Sequence, residues 1–320
     1  MGLSESEWWT YKAHMYAVAR REGACYVLLD NNGEPVGEFT PISVDSTQTN
    51  LDFGETTFTV GLGDGGGFWN PVVEAYFPLW RLGGYDGDSP LDPGVGVEFL
   101  LMIQGPGGER DRQVFTVEYV TLDGDEQGPE TLTLHAMDIL AALQFCPCPS
   151  VPATWKEPYR TWNNDAGKPY RVGRELSPMQ MATMATNHTL RGPAVPIISR
   201  VIQESLDARD RVRGWLDDPS EVVELPLRKF QLMGPEVLVR RTDDSVWDTI
   251  APVCRNTGVT VTARMWLPGD KDIRRVPYDS RDYGVDNFKH FWGLGKSMRH
   301  DRPIIIYTVN VVEDEGPREQ

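Results

Sequence analysis

The chain has 320 residues, 40% apolar and 24% charged, a composition that allows sizeable soluble cores and two or three domains. A formal charge of −16 argues against a nucleic-acid-binding surface, which needs clustered Lys and Arg to neutralise phosphates. Four cysteines (Cys25, Cys146, Cys148, Cys254) form no disulfide framework at this length and read as structural thiols, and no run of 18 apolar residues supplies a transmembrane helix.

Residues 1–24 read as an arm with a short helix, where Trp8, Tyr11 and Met15 fall at helical spacing, as do Ala13, Tyr16 and Ala17. From Cys25 the texture is β. Residues 26–29 and 36–39 flank the turn Asp30-Asn31-Asn32-Gly33, whose Asn-Gly pair supplies positive φ angles. Strands follow at 42–47, 56–62 and 97–104. Between them lie a Gly65–Gly67 run without a phosphate-loop ending and an acidic loop with Asp86, Asp88 and Asp92 that matches an EF-hand poorly. Residues 111–149 read as strand, acidic turn, strand and short helix. Leu132 and Leu134 share a face, Asp138 caps, Ile139, Leu140 and Leu143 form a stripe, and Cys146-Pro147-Cys148-Pro149 stops the helix. About seven strands and one closing helix in 25–150 suit a small barrel or sandwich.

Residues 151–176 read as irregular, with three prolines and four aromatics. Ser177-Pro178 opens a helix carrying Met179, Met181 and Met184. A longer helix is expected over 196–216, with Ile198, Val201, Ile202, Leu206, Val212 and Trp215 on its apolar face. Asp207, Arg209, Asp210, Arg211 and Arg213 lie opposite, by default in solvent. The β texture returns at 236. A strand at 237–241 precedes a helix capped by Asp244 or Ser245, carrying Val246, Trp247, Ile250 and Val253 and stopped by Gly258. Residues 259–267 alternate as a strand, Pro268-Gly269-Asp270 turns, 278–298 read as a loop with helical turns, and 304–312 form a last strand before an acidic tail.

No catalytic constellation is legible. The five histidines are dispersed, carboxylate pairs such as Asp123/Asp125 and Asp243/Asp244 sit where turns and caps use them, and Cys146 and Cys148 lack zinc-knuckle spacing. No catalytic, cofactor-binding or metal-binding residue is assigned, no cofactor is expected, and the chain is expected not to be an enzyme.

An early β region, TLTLHAMDILAALQFCPCP (131–149), a helical stretch, and DDSVWDTIAPVCRNTGVTVTARMWLPGD (243–270) follow in that order. This order resembles the tail-hub, or baseplate-hub-like minor tail, proteins of long-tailed siphophages infecting actinobacteria. The resemblance implies an α+β, predominantly β fold with two β-barrel-like domains and a helical insert. The divisions expected are an arm (1–24), a first barrel-like domain (25–150), an irregular and helical insert (151–235), and a second β-rich domain with an acidic tail (236–320). It further implies a homotrimeric ring at the virion tail tip, assembled in the host cytoplasm. That ring would meet the distal tail protein, the tape measure protein and other tail-tip proteins, with DNA only in transit through its lumen. The alternative is a receptor- or carbohydrate-binding module using Trp69, Trp80, Trp155 and Trp162 as stacking platforms.

Overall fold

In the computed structural model, residues 2–47, 52–62, 70–76, 99–125, 128–150, 160–176, 189–214, 218–224, 234–275 and 296–311 are described. Among them the fold is α+β and mostly β, with sixteen strands in four sheets and five helices.

Helix α1 (Glu5–Glu22) starts where Glu7 Oε2 accepts from the Ser4 backbone N–H at 2.8 Å and from its hydroxyl at 2.6 Å. Gly23, at φ 91°, ends it. The expected short arm helix is thus 18 residues long and firmly packed. Trp8, Met15 and Ala19 bury against Cys25, Val27 and Leu29 of β1 (Cys25–Leu29), and against Met265 and Leu267 far along the chain. The second stripe expected on it does not face a core: Ala13 and Ala17 are exposed.

Strands β1, β2 (Pro35–Phe39), β3 (Ser43–Ser46), β4 (Glu55–Gly61), β5 (Leu100–Gln104), β6 (Arg112–Asp125) and β7 (Gly128–Asp138) form one antiparallel sheet, ordered β2-β1-β5-β6-β7-β4-β3. Its edges, β2 and β3, are joined by only Thr40, Pro41 and Ile42, so the sheet must curl until its two edges lie close. Among the described residues they do not pair with each other. The inner face is aromatic, with Phe58 against Tyr26, Phe39 and Phe115. The β1–β2 turn needs Gly33 twice over: its φ is 79°, and a Cβ there would lie 2.6 Å from Pro303 Cβ. Beside this sheet, α2 (Pro71–Tyr76) begins where Asn70 Oδ1 accepts from the Val72 N–H. The Asn-Pro start was a readable signal that the sequence reading missed.

The 111–149 region folds as expected in kind. Asp138 Oδ1 accepts from the Leu140 N–H at 2.8 Å, opening a 3-10 turn at Ile139–Ala141 that runs into α3 (Ala142–Phe145). Ile139, Leu140 and Leu143 are all buried. The expected acidic turn is tight, because the ladder continues to Asp125 opposite Gly128.

The stretch 151–235 holds more strand than its composition suggests. The hairpin β8 (Arg160–Asp165) and β9 (Lys168–Leu176) replaces part of the region read as irregular, turning through Ala166 and Gly167, both at positive φ. β10 (Thr189–Pro193) pairs with β12 (Glu236–Arg240) and leads into α4 (Ala194–Arg213). Gly214, at φ 77°, follows this helix, which begins two residues earlier than expected. β11 (Glu221–Glu224) joins the second sheet.

That sheet runs β13 (Val259–Trp266), β16 (Ile304–Val311), β11, β14 (Ile273–Arg275), β15 (Lys296–Met298), with β16 and β11 parallel. Helix α5 (Val246–Thr257) feeds β13. Ser245 Oγ accepts from the Asp248 N–H at 2.9 Å, and Gly258, left-handed at φ 65°, stops the helix. α4 and α5 cover one face of this sheet, burying Ile198, Val201, Ile202 and Leu206 with Ile250, Val261 and Val309. Val212, expected on the apolar face, is 89% exposed, because the last turn of α4 runs past the core. Gly65–Gly67, the 85–92 loop, the 178–184 helix, Trp215, residues 278–295 and the acidic tail lie outside the described residues.

Candidate functional site

Two buried ionic networks and one backbone joint hold the sheets together among the described residues. The first network is centred on Asp270, in the turn after β13. Its Oδ2 accepts from Arg112 Nη1 at 2.6 Å and from the Leu267 N–H at 2.8 Å, while Oδ1 accepts from Lys12 Nζ at 2.8 Å. Arg112, at the start of β6, also donates to the Met265 carbonyl, Gln104 Oε1 and the Tyr16 hydroxyl. The Arg112 and Asp270 side chains are fully buried. Burial alone would raise the Asp270 pKa, but Arg112, Lys12 and the Leu267 N–H outweigh it and hold it below the usual carboxylate value. One carboxylate thus ties α1, the first sheet and the second sheet together.

The second network runs along the face of α4 that the sequence assigns to solvent. Asp207 and Asp210 are buried there, Asp207 paired with a cation from another element and Asp210 with Arg209 of the same helix. Arg275 of β14 donates to Asp207 Oδ1 at 2.5 Å, and Gln203 donates to the same oxygen at 2.8 Å. Gln203 in turn accepts from the Val223 N–H of β11. Arg209 bridges Asp210 and Glu221, and the Tyr307 hydroxyl of β16 donates to Glu221 Oε2 at 2.7 Å. Glu204 accepts from Arg200 at 2.7 Å and from Arg241. Along Gln203, Glu204, Asp207 and Asp210, α4 is a buried polar strut.

Asp207 keeps one carboxylate oxygen buried and unbonded among the described residues, as does Asp210. Burial pushes the Asp207 pKa up to about 6, with Arg275 and Gln203 acting in the opposite sense. Between about pH 4 and that value the folded chain holds on Asp207 a proton the unfolded chain has released, so the contribution of this group to stability falls as pH rises through the window. Asp207→Asn is expected to flatten this slope, by on the order of 2 kcal/mol across the window. Urea midpoints at about pH 4 and about pH 7 check it, and an unchanged slope rejects it.

The joint is made of backbone. The Cys148 N–H donates to the Asp244 carbonyl at 2.7 Å, the Val246 N–H donates to the Cys146 carbonyl at 2.8 Å, and Pro147 bridges Ser245. Segments 131–149 and 243–270 therefore meet directly, with Leu140, Leu143, Cys146 and Cys148 in the same core as Trp247, Ile250 and Cys254. The four cysteines are buried free thiols, and burial pushes Cys25, Cys146 and Cys254 up to about 12.

Among the described residues, no group of three His, Cys, Asp or Glu side chains is placed to hold a metal. A cleft beside the start of α1 is lined by Asp30, Glu34, Asp218, Arg299, His300 and Arg302. Its guanidinium groups are already engaged, Arg302 by Asp218 and Arg299 by Asp272. His135 stacks on Tyr119 at 4.2 Å on the outer face of the first sheet. Of the four tryptophans weighed as stacking platforms, Trp69, Trp80 and Trp155 lie outside the described residues, as does the side chain of Trp162.

No family model matches the chain, and no curated protein matches it. Among solved structures it is similar to the tail protein from Neisseria meningitidis MC58, at 10% identity and a TM-score of 0.33. That similarity covers 75% of this chain and 47% of the other, so the chain spans about half that protein's length. No helix among the described residues is long and apolar enough to cross a membrane.

Proposed function

We propose that this chain is a structural, non-enzymatic component of a phage tail tip, a hub protein whose copies close into a trimeric ring between the tail tube with its distal tail ring and the tip. The observation that carries this reading is the joint just described. The two segments on which the resemblance to tail-hub proteins rests, 131–149 and 243–270, form a single backbone-bonded unit linking both sheets. The large buried ionic networks support the same role, since a ring component needs its sheets held in fixed relation. The net charge of −16 suits a lumen through which DNA slides without sticking.

Native mass over a range of concentrations, followed by imaging of the species found, tests the proposal. A trimer with a central hole is expected. A strict monomer that binds glycans and loses that binding when Trp69, Trp80 or Trp155 is replaced by Ala overturns it in favour of a carbohydrate-binding module.

A further inference from the structure

The seat under α1 is held by bonds in which α1 takes no part. Arg112 ties the first sheet to the second through Asp270 at 2.6 Å and the Met265 carbonyl at 2.9 Å, and is itself fixed by Gln104. Asp270 is held in turn by the Leu267 N–H. Cys25, Val27, Leu29, Met102, Met265 and Leu267 therefore make an apolar floor whose two halves stay together whichever helix lies on them. Its polar key is Asp270 Oδ1, which accepts from Lys12 Nζ at 2.8 Å. Floor and key specify an α1, and every copy of the chain carries one.

The tether is short. Gly23 and Ala24 alone separate α1 from β1, and the chain turns back through Gly23 at φ 91°, a conformation that glycine takes readily and other L-residues avoid. Two extended residues span about 7 Å, so the closed form depends on this one tight turn. With Gly23 extended, α1 swings out as a rod about 27 Å long. Short hinges of this kind favour exchange of an element between copies, because the open form releases the turn and every contact is remade on the neighbour.

We propose that α1 of one copy seats on the floor of a neighbouring copy, so that the copies pass their N-terminal helices around the ring. The inference deepens the ring reading above and rests on it for the number of copies. Passing α1 from each copy to the next is a head-to-tail contact, the kind that closes into a ring, and each seat still receives Trp8, Lys12 and Met15. Lys12 makes the exchange selective, since a helix with an apolar residue at that position would leave Asp270 Oδ1 without its cation.

Trp9 reports where α1 lies. It is 57% exposed, and a Cβ at Gly269 would lie 3.0 Å from its ring, so a side chain at position 9 touches the 268–270 turn of whichever copy holds the helix. The full chain with p-benzoylphenylalanine in place of Trp9 is irradiated, resolved on a denaturing gel, and its linked peptides are mapped. Cross-links from position 9 to 268–270 in bands of two and three chains are expected. The same cross-link confined to single-chain bands, from a trimer seen by native mass, overturns this inference and leaves the ring reading standing. Interchain links in a species that is not a trimer uphold the exchange and overturn the ring. A chain that stays monomeric at every concentration overturns the exchange, while the glycan test decides the ring reading separately. Hinge variants give a second readout. Among the described residues no atom lies within 4 Å of a Cβ at Gly23, so Gly23→Ala strains the closed turn through φ alone and is expected to raise the association constant about tenfold. Four residues, Gly-Ser-Gly-Ser, inserted between Gly23 and Ala24 are expected to lower it about tenfold. Equal association by wild type and both hinge variants overturns the inference.

Discussion

Asp270→Ala is expected to destabilise the chain by about 3–5 kcal/mol, the usual cost of leaving buried charge uncompensated. Two cations would lose their anion at once: Arg112, fully buried, and Lys12, 5% exposed. Arg112 would keep the Met265 carbonyl and Gln104, but these carry no charge to balance it. Because the native pKa of Asp270 is lowered, its contribution is present above the unfolded carboxylate pKa and is lost as pH falls through the folded value. The gap between wild type and variant should therefore hold from neutral pH down to about pH 4 and close only in acid. Adding Lys12→Met to Asp270→Ala should recover part of the loss, since the second change removes one of the stranded charges. Urea unfolding of the three proteins measures all of this. A loss below about 1 kcal/mol would mean that water reaches the site.

Trp8→Ala is expected to cost about 3–5 kcal/mol. Trp8 is fully buried between β1 and the end of β13, where Met265 and Leu267 meet it, so truncation opens a cavity where α1 and the two sheets come together. Trp9, one residue on, is 57% exposed, and Trp9→Ala serves as the control, with an effect expected within about 1 kcal/mol. If the two substitutions cost the same, α1 is a detachable arm, and its packing on Met265 contributes nothing to stability.

These two residues also mark where sequence reading succeeds and where it stops. Period and caps made several elements legible: Trp8 and Met15 on one stripe, Asp138 as a cap, Ser245 and Gly258 at the ends of α5, and the alternation of β13. Each of those signals is local. Lys12 sits on the buried face of α1 and was invisible, because its partner Asp270 lies 258 residues away. Asp207 of α4 misled for the same reason, its partner Arg275 lying on β14. Helical spacing says which residues share a face, but whether that face meets water or Arg275 and Arg241 depends on tertiary structure. β11 was missed because four residues carry too little period to read. The β8–β9 hairpin announced itself only through Asp165-Ala166-Gly167, a weaker turn signal than Asn-Gly.

The place of β16 in its sheet sets an order of events during synthesis. It lies between β13 and β11, yet it leaves the ribosome after both. Until residues 304–311 emerge, β11 has no neighbour to pair with in parallel, and the apolar faces of α4 and α5 lack Tyr307 and Val309 to close over them. The first sheet, complete by residue 138, can fold while the second waits as an open, sticky intermediate. A nascent chain halted before β16 should therefore be the form that chaperones hold and proteases cut.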